Sequence, residues 1–204
     1  MGSGASKEEL RTRDVVVIGA GYGGIQAALS LKKAGIPFKI IDPKEYFHHC
    51  VGALRASVFP EYANKVAIPL KEAFGTSFVQ GKAISLDTEN KSLKLEDGQE
   101  LKYTHCIIAV GSLGPIPCRS TQTSISGLTE EYKNISEEIS KARSIMIVGA
   151  GAVGVEMAGE IREKYSETKI TIVSSQETLV ADFTPKFQKN IKSILEDQNI
   201  QVCM

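Results

Sequence analysis

The sequence predicts an α/β chain of two strand–glycine loop–helix units in series, the first of them carrying an antiparallel β flap. Three observations predict it. The stretch VVVIGAGYGG, residues 15–24, returns as IMIVGAGAVGVE, residues 145–156. Each copy is followed by a helical stretch and a second apolar strand, the pattern of a parallel sheet covered on both faces. Between the copies, residues 77–103 alternate apolar and polar side chains between turn residues, which reads as an antiparallel meander.

The elements follow in order. Residues 14–19 (DVVVIG) are a continuous apolar run of strand length. Residues 23–34 place Ile25, Ala28 and Leu29 at helical spacing, and Lys32 and Lys33 suit the negative end of the helix dipole. Gly35 stops that helix, and 37–42 (PFKIID) make the second strand. The segments FVQGKAISLD, KSLKLED and QELKYT predict a three-stranded flap, with Asn90 and Asp97-Gly98 at its turns. Residues 105–111 (HCIIAVG) return to a buried strand, and 111–127, rich in Gly, Pro, Ser and Thr, read as a loop or linker. An amphipathic helix is expected over 129–142. The opening pattern then restarts, with a strand at 144–149, a helix at 152–165, a strand at 169–174, a helix at 184–197 and a strand at 200–203. The expected organisation is a flexible segment 1–13, a first unit 14–127 and a second unit 128–204.

Gly19, Gly21 and Gly24 fit G-x-G-x-x-G between a strand and a helix, the Rossmann-like arrangement. The first glycine makes the tight turn, the second lets backbone approach a pyrophosphate, and the third lets the helix pack on the strand. The helix N-terminus then offers its N–H groups and positive dipole end to the phosphates. Asp42 ends the second strand, where a carboxylate can accept hydrogen bonds from ribose hydroxyls. The second copy uses Gly149, Gly151 and Gly154, with Glu156 two residues on. Its second strand ends at Val173-Ser174-Ser175, with neither carboxylate nor arginine. That site is expected to tolerate NADH and NADPH, with NADH at least usable. Two such loops fit two dinucleotides.

Composition removes several alternatives. Lysine plus arginine equals aspartate plus glutamate, 24 each, so nucleic acid is not an expected partner. No apolar run approaches the roughly 20 residues that span a bilayer. The N-terminal segment is polar and partly acidic, unlike a secretory or mitochondrial leader. Cys50, Cys106, Cys118 and Cys203 show no CxxC spacing, and Cys106 reads as a buried small hydrophobe. The cluster His48-His49-Cys50 is contiguous, and adjacent residues do not easily converge on one ion, so no metal site is expected. A reduced, cytoplasmic compartment follows.

Several stretches resemble a known family. They are MGSxxS at the start, the first glycine loop, IPFKIID, YFHHCVGALRASV (46–58), the 107–117 strand and turn with IIAVGS, and GAGAVGVEMAGEI (149–161). Together they resemble the two-dinucleotide flavoprotein oxidoreductases, within them the apoptosis-inducing-factor-like proteins of ferroptosis-suppressing type, cousins of the type II NADH:quinone reductases. Val110 stands where that family usually has threonine. The resemblance implies FAD on the first loop and NAD(P)H on the second. It implies hydride transfer from NAD(P)H to flavin N5, then electrons to a lipid quinone at a membrane. It assigns Gly19, Ala20, Gly21, Tyr22 and Gly23 to the FAD pyrophosphate, Asp42 to the ribose, Ala83 backbone to the adenine, and Gly24 and Gly111 to the cofactor-binding set. Arg55 is either the cation beside the flavin or a surface arginine, and His48 either lies near the flavin or packs. Glu156 is assigned to the nicotinamide side, the alternative being a simple fit to the helix dipole.

The family's chains continue beyond the position of residue 204 with the rest of both dinucleotide units and a C-terminal domain. The resemblance is thus to the N-terminal portion of the family fold. Cys50 has no cysteine at C-x₄-C spacing, which excludes disulfide chemistry of that kind, and it stands where close relatives typically have asparagine. Met1-Gly2-Ser3-Gly4-Ala5-Ser6 fits the N-myristoylation pattern, so Gly2 is the expected acylation site. One acyl chain without a basic second signal gives reversible attachment. The expected location is the cytoplasmic face of membranes: lipid droplet, plasma membrane or outer mitochondrial surface. Two further readings stay open: a non-catalytic nucleotide-binding protein, and a reductase of a small redox protein such as a ferredoxin.

Overall fold

A computed structural model describes residues 9–10 and 12–204, and the Gly2 motif lies outside them. In chain order the elements are β1 (Val15–Ile18), α1 (Tyr22–Ala34), β2 (Phe38–Asp42), β3 (Tyr46–His48), α2 (Ala53–Val58), α3 (Ala63–Val66), β4 (Ala67–Pro69), α4 (Leu70–Phe74) and β5 (Phe78–Gln80). Then come β6 (Ala83–Asp87), β7 (Ser92–Leu95), β8 (Glu100–Lys102), β9 (His105–Ile108), α5 (Ile125–Lys141), β10 (Ser144–Val148), α6 (Ala152–Lys164), β11 (Lys169–Val173), α7 (Pro185–Asp197) and β12 (Ile200–Cys203). Among the described residues no helix is long and apolar enough to cross a membrane.

The chain divides into two compact units. The first holds residues up to His49, Ala67–Gly114 and Thr121–Leu128. Its parallel sheet runs β5-β2-β1-β9. Because β1 is central, all four of its residues are buried, as its unbroken apolar run requires. Val15, Val17, Ala28, Ile40 and Leu70 pack on one face. Val16, Ile18 and Ile41 turn to the other, where they meet Leu93, Leu95 and Tyr103 of the flap region. Helix α1 ends where Gly35 takes a left-handed conformation at φ 69° and donates to the Leu31 and Lys32 carbonyls.

The flap is narrower than the alternation suggested. It is the antiparallel trio β6-β7-β8, whereas Phe78–Gln80 joins the parallel sheet beside β2. The expected first flap strand is split at Gly81, whose N–H donates to the Asp42 carbonyl at 3.0 Å. A side chain there would stand 2.9 Å from the Leu95 Cδ1, so the chain turns out of one sheet and into the other at a residue without one. Helix α5 begins at Ile125, inside the stretch that reads as linker, because Glu45 Oε1 accepts the Ile125 N–H at 2.6 Å.

The second unit gathers Cys50–Val66, Pro115–Ser120 and Thr129–Met204. Its parallel sheet runs β10-β11-β12. The unit takes in two segments that chain order alone assigns to residues 14–127. The reason lies in α2: Ala53, Leu54, Ala56 and Val58 are all buried, and Val58 sits in one core with Ala158, Ile161, Ile170, Ile172 and Leu195. Ser57 Oγ contacts Met157 Sδ at 3.7 Å, fixing α2 on α6.

Candidate functional site

The first glycine loop is built from β1, α1 and β2. Gly19 has φ 101°, a left-handed value that favours glycine, and a Cβ on it would lie 2.3 Å from the Ala109 carbonyl oxygen. A Cβ on Gly24 would lie 1.8 Å from the Gly19 carbonyl oxygen. These two glycines let the loop and the first turn of α1 close on each other and on the end of β9. Gly21 and Gly23 differ, since a Cβ on either would meet no protein atom within 4 Å. Their bareness opens outward, where a phosphate would approach the N-terminus of α1. The loop thus fits an anionic group on both counts.

Asp42 is at the end of β2, as expected, and its carboxylate braces the loop. Oδ2 accepts the Ala20 N–H at 2.7 Å and Oδ1 accepts the Lys44 N–H at 2.9 Å. A carboxylate has about four acceptor positions, so capacity for a ribose hydroxyl remains. Tyr22, on the first turn of α1, packs edge-on against Phe47, and its hydroxyl lies 2.8 Å from His49 Nδ1. His49 is thereby joined to the loop through Tyr22. His48 stands next to it on β3 with its ring edge-on to Tyr46 at 6.2 Å. Ala83 opens β6 in the flap, opposite Leu95. Gly111 follows β9 at φ 72° and is exposed.

The second loop repeats the geometry. Gly149 has φ 114°, and its N–H donates to the Val173 carbonyl at 2.8 Å. A Cβ on Gly154 would lie 2.0 Å from the Gly149 carbonyl oxygen, while one on Gly151 would meet nothing within 4 Å. In front of the loop lies a cleft of about 520 Å³ lined by Gly149, Ala150 and Gly151, by Ser174 to Gln176 at the end of β11, and by Ala181 and Asp182. Sequence reasoning passed over the segment 177–183, because no periodicity or motif marks it.

Glu156 lies on α6, within its second turn, and burial pushes its carboxyl above the usual carboxylate range, with Glu160 adding to the shift. Arg55 meets two carboxylates of the same helix. Its Nη1 lies 2.8 Å from Glu160 Oε2 and its Nη2 lies 2.8 Å from Glu163 Oε1. The guanidinium also stands over the rings of Phe59 and Tyr62 at 4.8 and 5.2 Å. Hydrogen bonding to Glu163 leads the upward shift of the arginine's pKa, and the same bond holds the Glu163 carboxyl below the usual range. Of the two readings of Arg55, the structure thus adds a third: a clamp that fixes α2 on α6. Burial pushes the Cys118 thiol up, with Cys50 and Glu156 adding to it. Among the described residues no group of three His, Cys, Asp or Glu converges as a metal site would.

Comparison with known proteins gives three results. Residues 13–204 match the family model described as pyridine nucleotide-disulphide oxidoreductase. The chain is similar to Ferroptosis suppressor protein 1 of Xenopus tropicalis, 39% identical over 206 residues, covering 100% of this chain and 54% of that protein. It is also similar to Apoptosis-inducing factor homolog A of Dictyostelium discoideum, 36% identical over 200 residues, covering 93% and 48%. The fold matches that of NDH2 from Plasmodium falciparum, solved in complex with NADH, at a TM-score of 0.73 and 18% identity, covering 95% and 48%. The chain spans about half the length of the curated relatives it matches.

Proposed function

The chain belongs to the pyridine nucleotide-disulphide oxidoreductase family, and from that premise we propose that it serves an FAD-dependent NAD(P)H oxidoreductase whose electron acceptor is a lipid quinone of the ubiquinone type. The observation that carries this reading is the doubled loop. Gly24 closes on Gly19 as Gly154 closes on Gly149, and in each loop the middle glycine faces open space. One chain so built suits two dinucleotides, FAD on the first loop and NAD(P)H on the second.

FAD, when bound, supplies two-electron transfer between a nicotinamide and an acceptor. The chain's own residues hold and orient. The N-terminus of α1 and the bare Gly21 and Gly23 receive the pyrophosphate, Asp42 fixes the loop and faces the ribose, and Ala83 offers backbone toward the adenine. Tyr22 and His49 stiffen the rim of the loop. Gly149 and Gly151 receive the second dinucleotide, and Glu156 stands two residues past Gly154 on the same helix.

The quinone and the membrane rest on the resemblance to relatives named for ferroptosis suppression, together with the Gly2 motif. Reversible acylation at Gly2 would bring the protein to the cytoplasmic face of a membrane, where a lipid quinone is available. The resemblance to those relatives also implies an antioxidant, ferroptosis-suppressing role. The test has two parts. An anaerobic visible spectrum of the purified chain is recorded before and after NADH, then after a short-chain quinone. The expected result is a flavin band that bleaches with NADH and returns with quinone. A chain that binds nucleotide but shows no flavin band points instead to a non-catalytic binding role, and return of the band only with a ferredoxin points to a small redox protein as acceptor. A Gly2→Ala protein that stays on membranes in cells overturns the reading of Gly2 acylation as the membrane anchor.

A further inference from the structure

The second strand of the repeated unit ends without the carboxylate that would receive an adenosine ribose, yet a carboxylate lines the same cleft from elsewhere. We propose that Asp182 sets the dinucleotide preference of the second unit, accepting the free ribose hydroxyls and repelling a 2′-phosphate, so that NAD(H) is favoured over NADP(H). This rests on reading the second glycine loop as a nicotinamide-dinucleotide site.

Three observations support it. The first is charge. The cleft is lined by Val148, Ala150, Val173, Thr178 and other uncharged groups, and Asp182 is the charged side chain among its lining residues. Among the described residues no lysine or arginine lines it. Of the three lysines of α7, Lys189 and Lys192 line a separate hollow of about 290 Å³ together with Glu177, and Lys186 lines neither hollow; Lys192 Nζ lies 4.0 Å from Glu196.

The second is position. The adenosine ribose of a dinucleotide on such a loop falls beside the end of the second strand, here Val173 to Ser175. Those residues and Asp182 line one cleft. Ser174 Oγ accepts the Gln176 N–H at 3.0 Å, which holds the turn after β11. The serines offer hydroxyls, and Asp182 supplies the missing acceptor.

The third is that the segment presenting Asp182 is fixed to the glycine loop. Val180 donates its N–H to the Ala150 carbonyl at 2.8 Å, and the Leu179 and Val180 side chains are buried in the core of the unit. Val180 holds φ 44°, a left-handed value that a β-branched residue adopts only when its surroundings impose it. Gln188 Nε2 donates to the Phe183 carbonyl at 2.8 Å from the other side. Asp182 is therefore held in place between two anchored residues. A 2′-phosphate there would meet a like charge, with no cation among the described lining residues to offset it.

The test is calorimetric titration of the full chain with NAD⁺ and NADP⁺, which cannot reduce a bound flavin. The expected result is about tenfold or more tighter binding of NAD⁺, a gap that narrows as salt rises. Asp182 is exposed, so Asp182→Asn should fold as the parent. It should cut the gap to about threefold or less, chiefly by improving NADP⁺, and should remove most of its salt dependence. Equal binding of both dinucleotides by the parent, or an unchanged gap in Asp182→Asn, overturns the proposal while leaving the site reading intact. If neither dinucleotide binds, the site reading fails and the proposal falls with it.

Discussion

Asp42 reaches back from the end of β2 to the first glycine loop, where its Oδ2 accepts the Ala20 N–H at 2.7 Å. The same carboxylate takes the Lys44 N–H through Oδ1. One side chain thus ties the loop before α1 to the turn after β2. This brace explains why an acid at this position matters even before any ligand arrives.

Asp42→Ala leaves two backbone N–H groups without their acceptor. Each lost hydrogen bond to a charged group is worth about 1.5–3 kcal/mol, less where water can replace it. Denaturant unfolding should show a loss of about 2 kcal/mol, and fluorescence titration should show weaker FAD binding. Unchanged unfolding would mean that water satisfies both groups and that the brace is dispensable.

The strand–glycine loop–helix order was legible in the sequence because each glycine answers a local demand: a left-handed turn at Gly19 and Gly149, a close approach at Gly24 and Gly154. Such demands are written in a few consecutive residues. The destination of Phe78–Gln80 was not legible, since a short apolar segment suits a parallel edge as well as a flap, and its pairing with Ile40 to Asp42 decides the matter. Arg55 stayed open between the flavin and the surface because its partners, Glu160 and Glu163, lie more than a hundred residues away. Asp182 was missed for a similar reason. Its segment carries no motif, and long-range contacts, the hydrogen bond from Val180 to Ala150 among them, bring it to the glycine loop.

The two kinds of glycine in a loop should separate folding from binding. Gly154→Ala puts a methyl group 2.0 Å from the Gly149 carbonyl oxygen, so α6 must shift off the loop. Overpacking of this sort costs about 1–3 kcal/mol, and both stability and nucleotide binding should fall. Gly151→Ala meets no protein atom and should unfold like the parent. Its methyl group occupies the path of the pyrophosphate, so NAD⁺ should bind at least about tenfold more weakly. Equal behaviour of the two variants in both assays would contradict the division of roles.

The Arg55 clamp has an acid-side signature. Arg55 holds the Glu163 carboxyl below the usual range, so the clamp's contribution is present above the ordinary glutamate pKa and is lost as pH falls through the lowered one. Carboxyl-carbon NMR titration should find Glu163 titrating low in the parent and at an ordinary value in Arg55→Met. The unfolding free energy of Arg55→Met should also fall less steeply with acid. An ordinary Glu163 titration in the parent would show that the ion pair does not persist in solution.

Glu156, one turn before Glu160 on α6, should behave in the opposite sense. Burial, and the Glu160 charge after it, raise its carboxyl above the usual range. A group with a raised folded-state pKa favours the fold below its unfolded pKa, and that support is lost as pH rises through the folded value. Glu156→Gln keeps the shape and stays neutral throughout. Its unfolding free energy should therefore match the parent in acid and exceed it increasingly from mildly acidic to neutral pH, because the parent then bears a poorly solvated charge. Paired unfolding curves across that range decide it. Parallel curves at every pH would mean that the carboxylate is well solvated and that neither its burial nor its neighbour perturbs it. A divergence of the expected kind would mean that Glu156, on α6 beyond the second glycine loop, holds its proton further toward neutrality than an ordinary glutamate.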